Sequence, residues 1–188
     1  MKKKDTQIIY SPSDLSSHIS CKHLTQLNKQ NARGEIADPD ISTNRVLIML
    51  QEKGIEFEAS FLNELKNQGK VVIEISREDS DAEKKTIDAM KAGVDVIYQA
   101  RLKEKDKWSG WSDFLIKVES PSKLGDWSYE VWDTKLANET KAGTILQIGL
   151  YSERVAQIQG KNPEFMGVIK PEGKELYRYD EYIAYIRF

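Results

Sequence analysis

Trp127-Ser128-Tyr129-Glu130-Val131-Trp132-Asp133-Thr134-Lys135-Leu136 is the stretch whose reading decides the fold of this chain. It has the composition of a strand, and alternation puts Tyr129, Val131, Asp133 and Lys135 on one face and Glu130, Trp132, Thr134 and Leu136 on the other. An aspartate and a lysine therefore project side by side from a segment that is otherwise largely apolar. Charged groups are seldom buried unless they are paired or hold a metal, so the pair marks a candidate active site. A second strand-like segment, Trp108-Ser109-Gly110-Trp111-Ser112-Asp113-Phe114-Leu115-Ile116, carries another acid. The Pro- and Gly-containing loop 120–126 joins the two as in a long hairpin.

Upstream, Ser11-Pro12-Ser13-Asp14-Leu15 is a helix start, with Ser11 as cap and proline at the first helical position. That helix is predicted to run to about residue 28, and 31–40 reads as a loop. A long helix is predicted over 42–68, stopped by Gly69. Ile55, Glu58, Leu62 and Leu65 form one stripe of it, flanked by Phe61, while Glu56, Ser60 and Asn63 face water; Glu58 is then an acid set in an apolar stripe. Residues 70–75 read as a strand and 80–92 as an amphipathic helix ended by Gly93. Strands are predicted over 95–102, 111–118 and 128–135, a helix over 141–159 stopped by Gly160, strands over 164–170 and 175–179, and a short helix over 180–188. This order predicts an α/β or α+β core. Residues 1–40 are a helical N-terminal addition to a core of 41–188 in a single domain.

The 188 residues carry a net charge of −2, so bulk charge does not hold this protein on nucleic acid, and any such contact needs a local basic groove or metal ions. No apolar run approaches a membrane span, and Met1-Lys2-Lys3-Lys4-Asp5 lacks the apolar region of a secretory signal. The one cysteine, Cys21, excludes an internal disulfide and any all-cysteine zinc or iron–sulfur site, and it points to a cytoplasmic protein. It is expected to be a small buried hydrophobe. His18 and His23 are expected at the surface.

Phosphodiester cleavage needs an activated water, charge neutralisation on the phosphate and help for the leaving oxygen, and carboxylate-held divalent ions supply all three. Mg²⁺ prefers one or two carboxylates plus waters and substrate phosphate. Asp113 and Asp133 on adjacent strands meet that minimum, and the backbone carbonyl of Thr134 adds an oxygen. Lys135 is placed to orient or deprotonate water, or to stabilise the phosphate. Glu58 is a further acid if its helix packs on this face. Gln147 and Tyr151, four residues apart, share a helix face and reach toward the sheet, while Ile145, Leu146 and Leu150 are expected to supply much of that helix's apolar packing.

Gly110-x-x-Asp113, Asp133-Thr134-Lys135 and Gln147-x-x-x-Tyr151 together resemble the RecB-type branch of the PD-(D/E)XK nuclease superfamily, and within it RecB-like nucleases akin to the CRISPR-associated exonucleases. Ser11-Pro12-Ser13-Asp14-Leu15 with Cys21, Gly54-Ile55-Glu56-Phe57-Glu58 and Gln159-Gly160-Lys161-Asn162-Pro163 fit the same pattern, so the resemblance covers nearly the whole chain. It implies an α/β, restriction-endonuclease-like core, a central mixed sheet flanked by helices, and Mg²⁺- or Mn²⁺-dependent cleavage of DNA, single-stranded or at ends. Asp113 and Asp133 then bind metal, Lys135 is catalytic, Glu58 assists the metal, and Gln147 and Tyr151 support substrate and site. The chain departs from the pattern twice. Phe57 stands where relatives often carry a histidine, and the C-terminal cysteines of an iron–sulfur cluster are absent, which implies either a lost cluster or a truncated part of a longer protein with an additional C-terminal domain or partner.

The acid-x-lysine spacing alone is weak, because Glu64-Leu65-Lys66, Glu83-Lys84-Lys85, Glu139-Thr140-Lys141 and Glu172-Gly173-Lys174 share it. All four are expected on helices or loops, where surface charge is the default. Trp108, Trp111, Trp127 and Trp132 suit sheet packing better than base stacking. A different class of reading is a nucleic-acid-binding module that kept the fold and lost the metal set; another is a structural domain whose partner supplies the activity.

Overall fold

Two apolar sets alternate along neighbouring strands, and this alternation builds a three-layer core. Val96, Phe114 and Ile169 face one side, where they meet Phe61, Leu62 and Leu65. Ile97, Leu115, Val131 and Val168 face the other, where they meet Met90, Ile148 and Val155. The computed structural model describes residues 1–4, 6–40, 44–104 and 107–187. In chain order these form β1 (Lys2–Lys4), β2 (Gln7–Ile9), α1 (Pro12–Ser20), α2 (Lys22–Arg33), α3 (Arg45–Asn67), β3 (Val72–Glu74), α4 (Ala82–Lys91), β4 (Val96–Glu104), β5 (Trp108–Val118), β6 (Ser128–Thr134), α5 (Ala142–Gln159), β7 (Phe165–Lys170), β8 (Gly173–Arg178) and α6 (Tyr179–Arg187).

Six strands make one mixed sheet in the order β3-β4-β5-β6-β7-β8. β4, β5 and β6 form an antiparallel meander, while β3 runs parallel to β4 and β7 parallel to β6. Each parallel pair is joined through a helix, α4 or α5, as parallel connections require. The fold is thus mixed α/β, a six-stranded mixed sheet flanked by helices. Burying a side chain such as Phe114, fully shielded between β4 and α3, stabilises it by about 2–3 kcal/mol.

The structure corrects several details. The helix expected to reach residue 28 breaks at Cys21, whose extended backbone (φ −160°, ψ 108°) ends α1 and begins α2. α1 packs against α5 while α2 packs against β1, and one extended residue separates the two directions. Cys21 is exposed rather than buried. The segment read as a loop from residue 31 stays helical to Arg33 and stops at Gly34, whose left-handed backbone (φ 77°) suits glycine. The N-terminal addition is not purely helical, because β1 and β2 form a two-stranded hairpin.

The start of the long helix at residue 42 lies outside the described residues; within them α3 follows an Asn44 cap whose side chain accepts from the Leu47 amide. Ile55 is 68 % exposed, so it does not belong to the buried stripe. Ile55 borders an open cavity instead, and full burial on α3 begins with Phe61, Leu62 and Leu65, beside which Phe57 packs. The packing of α5 is centred on Ile148 and Val155, with Ile145 and Leu150 partly buried beside them. The strand expected over 70–75 shortens to three residues, and β5 begins at Trp108, before residue 111. The last helix begins at Tyr179, and Phe188 lies outside the described residues. Glu172-Gly173-Lys174 enters β8 rather than staying in a loop. No helix among the described residues is long and apolar enough to cross a membrane.

Candidate functional site

The site is built where the sheet loses its regularity. In β4 the alternation reverses: Ile97 and then Ala100 and Leu102 all join the α5-side core, though an odd and an even residue cannot share a face of a regular strand. Gln99, between them, has a left-handed backbone (φ 54°), which is uncommon for a residue with a Cβ. The β4–β5 pairing runs on both sides of Gln99 and Asp113 and skips them. On the other side of β5 the ladder to β6 ends at Phe114 and Trp132. Asp113 therefore sits where β5 is released from both neighbours, and its side chain takes over part of the pairing. Thr134 donates to Asp113 Oδ2 from its amide at 3.2 Å and from its hydroxyl at 3.3 Å.

Asp133, at the end of β6, is 4 % exposed. Lys135 Nζ lies against Asp133 Oδ2 as an ion pair, but that oxygen is buried without an aligned hydrogen-bond donor. Burial, and then the neighbouring Asp133 carboxylate, push the Asp113 carboxyl up to about 8. Burial works against the charge on Lys135, yet Asp133, Asp113 and Glu58 outweigh it and hold its pKa above the ordinary lysine value. Two aspartates thus share one ammonium, and the space between them favours a proton on Asp113 over a second negative charge.

Glu58 reaches the site from α3 on the far side of the kink. Its Oε1 accepts from Gln99 Nε2 at 2.5 Å, and Gln99 Oε1 accepts from Arg77 at 2.8 and 3.2 Å. Burial first, and Asp113 second, raise the Glu58 pKa above the usual carboxylate value. Gln147 and Tyr151 come from α5. Tyr151 is buried, makes an edge contact with Trp108, and has its pKa raised by burial and by both aspartates. Gly110 explains how α5 comes so near: a Cβ there would fall 2.5 Å from the Tyr151 hydroxyl and 2.7 Å from Pro12. In Gly110-x-x-Asp113 the glycine thus serves the approach of α1 and α5 to β5.

Glu58, Asp113, Asp133, Thr134, Lys135, Gln147 and Tyr151 all line one open cavity of about 820 Å³. Gln99, Arg77 and Arg101, which no motif marks, complete its surroundings. A glutamine in the apolar run of β4 was the available signal for the first. Its partner Glu58 lies 41 residues away, which no local pattern reveals. The tryptophans pack on the sheet: Trp108 is buried, Trp127 covers Gly93 and Gly125, and Trp132 covers Gly167, while Trp111 is flanked by Arg77 and Arg101.

The donor set offered to a cation is all oxygen, which suits Mg²⁺ or Mn²⁺ rather than a soft metal. The buried, unaligned Asp133 Oδ2 opposite Asp113 fits such an ion. Among the described residues no group of three or more His, Cys, Asp or Glu side chains is gathered around a common point, so the two aspartates stand as a pair and Glu58 stays on Gln99. Compared with known proteins, the chain matches no protein-family model and none of the curated proteins.

Proposed function

We propose that this chain is a metal-dependent deoxyribonuclease of the RecB-like type, with a restriction-endonuclease-like core, acting on single strands or DNA ends. The observation that carries this reading is the convergence of Asp113, Asp133 and Lys135 at the splayed end of β5 and β6, inside a cavity open to solvent. Asp113 and Asp133 would hold the cation, with the Thr134 carbonyl as a further oxygen. When bound there, Mg²⁺ or Mn²⁺ would supply an activated water, charge neutralisation on the phosphate and help for the departing oxygen. Lys135 keeps its proton in this setting, which favours orienting the water and stabilising the phosphate over acting as a base. Glu58, tethered by Gln99, is a second acid for water held near the cation. Gln147 and Tyr151 bound the cavity from α5 and orient the groups beneath the substrate.

The test is a cleavage assay on labelled single- and double-stranded DNA with Mn²⁺, Mg²⁺ or chelator, beside Lys135→Ala. Cleavage that needs metal and falls by about 10²-fold or more in the variant is the expected result; undiminished cleavage by Lys135→Ala defeats the role given to Lys135. One observation favours a second reading. The absence of a three-acid cluster among the described residues suits a module that binds DNA and cuts it poorly. DNA binding without metal-dependent cutting would select it.

A further inference from the structure

Beyond the kink at Gln99, β4 and β5 present a second chemical surface. Arg101 pairs directly across the ladder with Trp111, and its guanidinium lies 4.9 Å from the centre of the indole. Arg77, from the loop after β3, places its guanidinium 5.8 Å from the same ring. Arg101 Nη2 also donates to Ser109 Oγ. Neither arginine has a carboxylate within ion-pair distance among the described residues. Glu83, whose field reaches Arg101, is already engaged by Lys103 at 2.8 Å and Arg154 at 3.6 Å.

A half-buried guanidinium without a counter-charge is costly, and burial pulls Arg101 below the ordinary arginine value, with Arg77 adding repulsion. The two cations are held by the Trp111 ring face and by neutral oxygens, Ser109 Oγ for Arg101 and Gln99 Oε1 for Arg77, so the N–H groups of Arg101 beyond Ser109 are available to an anion. They line the same cavity as the aspartates. Trp111 and Asp113 are two residues apart on β5, about 7 Å along the strand, the scale of one phosphate-to-phosphate step in an unstacked chain.

We infer that Arg101, supported by Arg77 and Trp111, binds the phosphate of a single-stranded DNA next to the one addressed by Asp113 and Asp133. This inference deepens the nuclease reading and rests on it for the direction of the strand into the site. The shelf selects a polyanion with regularly spaced phosphates, and it supplies the local basic contact that a chain of net charge −2 needs.

The experiment measures binding of a fluorescein-labelled oligothymidylate by anisotropy in EDTA, so that no cutting occurs, across a range of chloride concentrations. Arg101→Gln should weaken binding roughly 5–10-fold and lower the slope of log affinity against log salt by about 0.7, the value for one phosphate of a single strand. Arg101→Lys should restore the slope, and Arg178→Gln, on the far edge of the sheet, should leave it unchanged. Arg101→Lys also keeps the test alive should the glutamine variant fold poorly. Unchanged affinity and slope in Arg101→Gln would overturn the inference. So would displacement of the strand by inorganic phosphate at an ionic strength where chloride has no effect, because the site would then be one for a free anion. An Arg101-dependent slope in a protein that never cuts DNA in Mn²⁺ would overturn the nuclease reading and leave the shelf standing. Metal-dependent cutting with the same salt slope and KM in Arg101→Gln would do the reverse.

Discussion

Two lysine–carboxylate pairs lie at the ends of neighbouring strands, and they behave in opposite ways. At the end of β7, Lys170 contacts Glu175 at 2.5 Å and donates to the Asn138 carbonyl at 2.5 Å. Glu175 also accepts from Thr140 at 2.6 Å and from Tyr177 at 2.7 Å, and Lys170 first, then these two hydroxyls, hold its carboxyl down at about 2. At the end of β6, Lys135 meets Asp133, but a second acid shares the space and lies near 8. One acid with three donors is a finished structural joint. Two acids with one cation leave Asp113 holding a proton, and the proposed divalent ion would take that proton's place.

The largest expected effect separates the two pairs by chemistry. Asp133→Ala should lose metal-dependent cleavage by about 10²-fold or more, whereas Lys170→Ala should keep the wild-type rate per folded molecule. Equal losses in both would break the contrast between them.

A second effect lies in stability. Asp113 has a folded pKa near 8 against an ordinary value of 3.8, so the folded chain holds a proton that the unfolded chain releases. That contribution is complete below about pH 4 and is lost as pH rises to about 8. Metal-free wild type should therefore weaken over this window. Asp113→Asn should flatten the decline and gain about 1–3 kcal/mol at pH 8, read as a higher Tm in EDTA. Glu175 has the opposite sign: its depressed pKa adds stability above the ordinary carboxylate value that disappears as pH falls toward 2. Mn²⁺ should raise the Tm of wild type but not of Asp133→Ala, and a Tm indifferent to Mn²⁺ in both would sink the metal assignment.

The smallest effect concerns the kink. Gln99→Gly relieves the left-handed backbone but frees Glu58, so stability should change by less than about 1 kcal/mol while cleavage falls several-fold. Gln99→Ala keeps the strain and loses the tether, and should be the less stable of the two by about 1 kcal/mol in urea titration. The reverse order would show that the φ of 54° is not what shapes β4 here.

Much of this was legible before any coordinate. The strands around Asp113 and Asp133 announce themselves by alternation, and the helices of α3, α4 and α5 by period and by their terminal glycines. Ile55 was not legible, because an apolar residue on the right helical stripe stays exposed where that stripe borders an open cavity. Cys21 was not either, since one extended residue between two helix-forming runs leaves no compositional trace. Arg77, Arg101 and Gln99 carry no motif, and their partners come from distant segments.

The sequence by itself determined the sheet, its helical flanks and the pairing of an acid with a lysine on one strand face, because periodicity is a local property of the chain. Only the tertiary structure decided that the two aspartates share a single ammonium, that Glu58 is held off by Gln99, and that two arginines lie beside Trp111 with no carboxylate of the described residues in ion-pair distance. Those features arise where strands part and distant side chains meet, and electrostatic balance at such a place is set by what surrounds it in space.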